Sequence, residues 1–373
     1  MEARISAQQA FQLLVDHRRH QQVLVDVRSE GEFFKGSFPG AVNIPLLNNA
    51  HRHQVGLCYK KQGQAKAIEL GHQLVAPLRS ELVTQWLEAL GSSPVQQPAM
   101  VYCWRGGLRS KLVCQWLASQ WMEKAGGSPL RVEGGFKGLR REVFKVFRQL
   151  PGLKILGGMT GSGKTRLLAQ LKTGLDLESL AQHRGSAFGL LPNETQPSQL
   201  DFENRLALEL ARAHHPPVVE DESPRIGRLF LPEGMYQHMA QSPFVLLQAP
   251  LGERVQNIYR EYIEQALSRG IDPYLLHQHL CQCTERIRPK LGGLKTDQTL
   301  KAINSAFECK DPLAHQLWIS SLLQSYYDPL YKFSMQRKGT KPQFTGDFSE
   351  CLHYLSGGNS CNDENLNVMG GED

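Results

Sequence analysis

The 373-residue sequence predicts an α/β protein of two consecutive domains, the second ending in a helical part. Three observations predict it. Short β-branched runs alternate with helical periodicity on both sides of Pro151-Gly152. Two of these runs, ending at Tyr102 and Leu156, lead into glycine-containing loops that open helices. The chain is also long enough to bury two cores of ordinary domain size.

The N-terminal stretch to Leu14 reads as the start of an amphipathic helix and lacks the basic-then-apolar layout of a secretory leader. Val23–Val27 and Ala99–Tyr102 read as buried strands. Between them, Leu82, Val83, Trp86, Leu87 and Leu90 recur at helical spacing, which predicts a helix over Ser80–Leu90. Residues 124–138 are rich in glycine and are expected to form a loosely packed loop before a helix over Leu139–Leu150. Pro151-Gly152 marks the expected boundary between a first domain over 1–150 and a second over 151–355.

In the second domain, Lys154–Leu156 predicts a strand that leads to a helix from Thr165. Phe202–His214 and Arg254–Leu267 read as helices, and Val218-Val219 and Phe244–Leu247 as strands. Leu275–Met335 is expected to be largely helical, with breaks at Pro289, Gly292-Gly293 and Pro312. Residues 356–373 are polar and acidic and are expected to be disordered.

Hydrophobic residues make up 41% of the chain and charged residues 21%, ordinary proportions for a globular protein. No apolar run approaches the ~18–20 residues that span a bilayer, so a cytoplasmic protein without a membrane partner is expected. The formal net charge of +6 permits a polyanionic partner without demanding one. Eight cysteines, at 58, 103, 114, 281, 283, 309, 351 and 361, show neither a disulfide framework nor paired zinc-ligand spacing, and no structural metal is expected.

One cysteine stands apart. Cys103 follows a strand and opens the loop Cys103-Trp104-Arg105-Gly106-Gly107-Leu108-Arg109, which runs into a helix through Leu112, Val113, Trp116 and Leu117. A thiol is a weak nucleophile until it ionises. Backbone amides at a helix N-terminus favour the thiolate and would also hold an oxyanion. Gly106 and Gly107 are expected to let the loop close, and Arg105 and Arg109 to add positive charge.

The second loop, Gly158-Met159-Thr160-Gly161-Ser162-Gly163-Lys164-Thr165, fits the phosphate-binding pattern G-x4-G-K-[ST] between a strand and a helix. Amides around Gly158, Gly161 and Gly163 would cradle phosphates, Lys164 would reach a terminal phosphate, and Thr165 would ligate Mg²⁺. Asp221 and Glu222 end the Val218-Val219 run as candidates near Mg²⁺, and Asp176-Leu177-Glu178 offers a second such strand end.

Cys-x5-Arg loops serve both protein tyrosine phosphatases and rhodanese-like sulfurtransferases. Tyr102 stands where the phosphatase pattern has His. Asp26-Val27-Arg28 with Phe38-Pro39-Gly40-Ala41-Val42-Asn43-Ile44-Pro45, and Gly134-Gly135-Phe136, resemble the rhodanese signature over roughly residues 5–145. This loop is one residue longer than many rhodanese loops, which suits a larger tetrahedral donor such as selenophosphate.

Taken together, the rhodanese-like domain, the P-loop NTPase-like domain and further stretches resemble the bacterial tRNA 2-selenouridine synthases over about residues 5–335. Those stretches are Val55–Gln64, Leu180–Gly189, Gln196–Gln199, Phe202–Asn204, Glu220–Ser223 with Arg225–Gly227, and Tyr326–Tyr331. The resemblance implies that wobble 2-thiouridine in tRNA is S-geranylated from geranyl diphosphate. The S-geranyl group is then replaced by selenium from selenophosphate, with Cys103 as the carrier. It also implies a transient encounter with the enzyme that supplies selenophosphate. The Gly158–Thr165 loop is expected to hold the diphosphate of the prenyl donor; a nucleotide is the alternative.

RNA contacts are sought among His183, Arg184, Arg225, Arg228, Arg286, Arg288, Lys290 and the Tyr326–Tyr331 cluster. Two rival readings stay open: a sulfurtransferase fused to a nucleotide-dependent small-molecule kinase, and a phosphate- or redox-sensing adaptor that uses Cys103 as a switch.

Overall fold

Runs of β-branched and large apolar residues too short for helices become the central strands of two parallel sheets. The computed structural model describes residues 3–16, 23–91, 99–125, 129–150, 152–213 and 215–357. These form two units, Met1–Leu150 with Pro197–Arg212, and Pro151–Gln196 with Ala213–Asp373.

The first unit has strands β1 (Arg4–Ile5), β2 (Leu24–Asp26), β3 (Ala41–Asn43), β4 (Met100–Tyr102) and β5 (Leu130–Val132). They pair in parallel in the order β1-β5-β4-β2-β3. Such a sheet needs both faces covered, and every residue of β2 and β4 is buried. Arg79–Gly91 and Leu108–Ala125 form two of its helices, and Trp86, Leu87, Leu90, Val113 and Leu117 join Val25 and Val101 in one apolar cluster that also holds Cys103. The N-terminal helix, Ala7–Val15, starts at a reciprocal cap in which the Gln9 amide donates to Ser6 Oγ and Gln9 Oε1 accepts from the Ser6 amide.

The second unit has β6 (Lys154–Gly158), β7 (Gly174–Leu175), β8 (Val218–Glu220), β9 (Arg225–Ile226), β10 (Leu229–Phe230), β11 (Phe244–Leu247) and β12 (Phe344–Gly346). Five are parallel in the order β12-β11-β6-β8-β7, and β9 and β10 form a separate antiparallel pair. Helices from Pro273 to Cys309 and Pro312 to Lys338 make the helical part, interrupted at Gly292, whose φ is 90°, and at Pro312, which opens a helix behind its Asp311 cap. Among the described residues no helix is long and apolar enough to cross a membrane.

Two expectations are corrected, and one unassigned stretch gains its structure. The glycine-rich stretch 124–138 holds strand β5, and its helix begins at Gly135 rather than Leu139. The helix expected over Phe202–His214 spans Gln199–Arg212 and groups with the first unit. Its Asn204 accepts from Arg140 (2.7 Å), its Asp201 from the Ser37 amide (2.8 Å), and Arg212 donates to the Val15 carbonyl (2.8 Å). Finally, residues 49–75, unassigned from sequence, are helical except at Gly63, whose φ of 83° breaks the helix in two. Disorder is expected over residues 356–373; Ser356 caps the helix Phe348–Leu355 and Gly357 follows it, while residues 358–373 lie outside the described residues.

Candidate active sites

Cys103 leaves the C-terminal end of β4, flanked in the sheet by β5 and β2, where parallel sheets place their ligands. The loop after it has its carbonyls tied back. The Phe136 amide donates to the Cys103 carbonyl (2.8 Å) and the Lys137 amide to that of Trp104 (3.1 Å). Arg131 donates to the Gly106 carbonyl, and Lys111 and Ser110 donate to that of Gly107. The amides of Arg105, Gly106 and Gly107 have no acceptor among the described residues. Secured carbonyls with unpaired amides make an anion-binding nest. The Cys103 thiol is buried, and Ser110 Oγ lies 3.3 Å from its sulfur.

The glycines of this loop are unequal. Gly106 has φ of 62°, and a Cβ there would fall 2.5 Å from the Val132 carbonyl and 2.9 Å from the Gly135 amide. Gly135, with φ of 53°, closes on the same loop from the other side, and its Cβ would strike the Cys103 carbonyl. Gly107 meets nothing within 4 Å, so the steric need expected of it belongs to Gly135.

The two arginines also part. Arg109 donates to both carboxylate oxygens of Glu32, at 2.6 and 3.2 Å, so its charge is shared rather than reserved for the thiol. Against the effect of its burial, Arg109 holds the Glu32 carboxyl below its usual range. Arg105 is exposed and lines a basic pocket of about 460 Å³ with Lys137, Arg140 and Arg141. The cradle around Cys103 is therefore built mainly of backbone.

Asp26 and Arg28 make a fully buried pair, with Arg28 Nε 2.8 Å from Asp26 Oδ2. The guanidinium lies 3.9 Å from the Phe136 ring centroid and 5.6 and 5.8 Å from those of Tyr102 and Trp104. The Asp-Val-Arg motif thus clamps the thiol loop's aromatic neighbours and takes no part in the nest.

The Gly158–Thr165 loop follows the central strand β6 with the same logic. Lys164 Nζ donates to the Gly158 carbonyl (3.0 Å), Arg254 Nε to that of Thr160 (2.9 Å), and Asn257 Nδ2 to that of Gly161 (2.9 Å). The amides of Gly161, Gly163, Lys164 and Thr165 have no acceptor among the described residues, and neither does the buried Ser162 hydroxyl. Gly161 and Gly163 have φ of 79° and 90°, and Thr165 is exposed. Arg254 is itself buried and paired with Asp328, so the Tyr-Tyr-Asp-Pro motif braces the loop from below.

Of the acidic candidates, Asp221 is taken by Lys338 (2.6 Å). Glu222 instead meets Glu178: a Cβ on Gly185 would lie 2.7 Å from Glu178 Oε1 and 2.9 Å from Glu222 Oε1. Burial, with the charge of Glu222, pushes the Glu178 carboxyl up to about 9, while Lys164 opposes the shift. Glu222 is also raised by burial, again opposed by Lys164. The two strand ends thus converge beside Lys164, and the donors there, hydroxyl and carboxylate oxygens, suit a hard cation such as Mg²⁺. Among the described residues no group of three or more His, Cys, Asp or Glu is arranged to hold a metal ion by itself, and Mg²⁺ on few side chains plus phosphate oxygens does not require one.

The RNA candidates are mostly engaged internally. Arg184 pairs with Glu261 (2.9 Å) and Glu194 (3.3 Å). His183 packs against Gly189 and Gly227, and burial lowers its pKa. Arg228 donates to the Gln196 carbonyl, and Arg288 pairs with Glu285 and Asp297. Tyr326 is buried and the Tyr331 hydroxyl sits against Gly157, so these rings are core rather than a stacking platform. Arg225, Arg286 and Lys290 are exposed, although Arg225 Nε donates to the Gly227 carbonyl. Sequence reasoning missed the basic pocket beside Arg105.

Fold and loops together define a class: a sulfur-bearing rhodanese-type domain joined to a P-loop phosphate-binding domain. The family model for the rhodanese-like domain matches residues 7–142, and the one described as the tRNA 2-selenouridine synthase AAA domain matches residues 152–361. Proteins named tRNA 2-selenouridine synthase are similar over nearly the whole chain. That of Bordetella bronchiseptica is 42% identical, over 90% of this chain and 94% of the relative. Those of Hahella chejuensis and Pseudomonas fluorescens strain Pf0-1 are 40% and 39% identical, each over 89% of this chain and over 90% and 93% of the relatives. The chain belongs to the tRNA 2-selenouridine synthase family.

Proposed function

We propose that the chain converts wobble 2-thiouridine in tRNA to 2-selenouridine by way of S-geranyl-2-thiouridine, with geranyl diphosphate as alkyl donor and selenophosphate as selenium source. The observation that carries this reading is the pair of loops with secured carbonyls and unpaired amides, one bearing a thiol and the other a lysine. Names of the relatives support the overall conversion.

Two sites suit two steps. Sulfide is a poor leaving group, so direct exchange of a thiocarbonyl sulfur is slow; alkylated sulfur departs as a thiol. In the first step the thiouridine sulfur attacks C1 of the prenyl donor, the C1–O bond breaks, and N3 loses its proton. Negative charge grows on the departing diphosphate, where the amides of Gly161, Gly163 and Lys164 and the ammonium of Lys164 would stabilise it. Mg²⁺, held by Thr165 and Glu222 with the diphosphate oxygens, would neutralise part of that charge. In the second step the nest beside Cys103 holds the phosphate group of selenophosphate, the selenium attacks C2 of the base at the thiol loop, geranylthiol leaves, and water cleaves the P–Se bond to release phosphate.

The tRNA backbone is bound by cationic side chains, among them Arg105, Lys137 and Arg141, which line the pocket beside the thiol loop. Nucleoside analysis of tRNA from cells lacking the gene tests the scheme. Resupply with Cys103→Ser should leave S-geranyl-2-thiouridine without 2-selenouridine, and Lys164→Ala should leave 2-thiouridine. Normal geranylation by Lys164→Ala would remove the P-loop from the first step.

A further inference from the structure

Beside the Cys103 loop, the first unit opens a groove of about 570 Å³ that neither loop explains. That volume falls within the roughly 300–1,000 Å³ of small-ligand pockets. Its floor includes Leu46 and Leu47, which belong to the same apolar cluster as Cys103. Helical stretches on both sides of the Gly63 break contribute to its walls, as does the start of the helix that follows the thiol loop. Leu57 and Leu108, one from each wall, are 43% and 44% exposed. Apolar surface left in water at these two positions gains by being covered.

Charge identifies what would cover it. Arg52, Lys60 and Arg109 lie among the lining residues and none of the lining residues is acidic; Glu32, behind the rim, pairs with both Arg52 and Arg109, so three cations against one carboxylate leave the rim net positive. An apolar floor under a cationic rim suits an apolar chain tethered to a polyanion better than a neutral peptide or a free lipid. The groove also neighbours the chemistry: Arg109 lines it, and the next residue in the helix, Ser110, lies 3.3 Å from the Cys103 sulfur.

We propose that this groove receives the isoprenoid chain of S-geranyl-2-thiouridine while selenium is delivered at Cys103. The inference rests on the two-step reading above. The selenium of selenophosphate forms a bond to C2 of the base, the C2–S bond breaks and its electron pair leaves on the sulfur of geranylthiol, which takes a proton, and water then cleaves the P–Se bond to give phosphate and the 2-selenouridine. With the chain in the groove, the scissile C2–S bond is drawn to the mouth of the thiol loop.

The full-length protein is tested with anticodon stem-loop RNAs carrying S-geranyl- or S-methyl-2-thiouridine, both for binding and for selenophosphate-dependent turnover. Wild type should bind the S-geranyl RNA at least about tenfold more tightly, and its kcat/KM should favour that RNA by a similar factor. Leu57→Ser with Leu108→Ser should bring both ratios close to one. Ratios are insensitive to partial unfolding, and both side chains are already half exposed. Equal binding of the two RNAs by wild type, or ratios unmoved in the double variant, would overturn the groove assignment; the second result is also the one expected if a partner protein covers the groove. Should wild type bind the S-geranyl RNA selectively, with the preference lost in the double variant, yet fail to selenate it, the groove stands and the two-step reading falls.

Discussion

Ser110 Oγ lies 3.3 Å from Cys103 Sγ and also 3.3 Å from the Gly107 carbonyl oxygen. Its single proton serves one acceptor at a time, and an ionised sulfur would claim it. Ser110→Ala removes one hydrogen bond of about 1 kcal/mol, so alkylation of Cys103 by iodoacetamide at neutral pH should slow about fivefold. Mass spectrometry of the Cys103 peptide reads this site apart from the other free cysteines. An unchanged rate would show that the hydroxyl is committed to Gly107.

Gly106 and Gly107 are neighbours in sequence with opposite tolerances. Alanine at Gly106 costs about 1–2 kcal/mol for its left-handed backbone and adds a clash with the Val132 carbonyl. Melting should fall by several degrees, and Cys103 reactivity should change with the displaced loop. Gly107→Ala should melt within about one degree of wild type, since its Cβ enters open space. Matching losses in the two variants would mean that the loop closes differently from the arrangement described.

Much of the fold was legible because strand and helix signals are local. Val23–Val27 and Ala99–Tyr102 carry their burial in their composition, and both loops announce themselves within eight residues of sequence. What escaped reading depends on partners distant in the chain. Nothing near Arg184 reveals that Glu261 will neutralise it, or near Asp221 that Lys338 will. The helix over Gln199–Arg212 has an ordinary amphipathic pattern, and its pairings with Arg140, Ser37 and Val15 are what tie it to the first unit. The convergence of Glu178 and Glu222 was likewise hidden, although Gly185, which makes room for both carboxylates, stood in a motif already noted.

The Glu178–Glu222 pair should make stability fall as pH rises. In the folded chain Glu178 keeps its proton up to about 9, whereas the unfolded chain releases it near 4.5, so the folded state binds more protons across that window. The contribution of the neutral carboxyl is fully present below the unfolded value and is lost as pH climbs through the folded one. Without divalent cations, the melting temperature should therefore decline between about pH 6 and pH 9, and Glu178→Gln should flatten that decline. Since a metal ion displaces the proton, stabilisation by Mg²⁺ should grow over the same range. Identical slopes for wild type and Glu178→Gln would refute the shared proton.

The three pocket cations and Arg184 should answer differently to RNA. Arg105, Lys137 and Arg141 line an open pocket without an acidic residue, so each is placed to meet a phosphate. Replacing any of them with alanine should weaken tRNA binding and reduce the slope of log K against log salt by up to about 0.7–0.9 for each phosphate left without its cation. Arg184→Ala should leave that slope alone. It strands Glu194 and Glu261 without their cation, which should cost about 1–2 kcal/mol of stability and appear as a lower melting temperature. Titrations at several salt concentrations separate the two effects. A reduced slope with Arg184→Ala, or none with the Arg105, Lys137 and Arg141 variants, would return RNA recognition to the P-loop half, where the sequence first placed it.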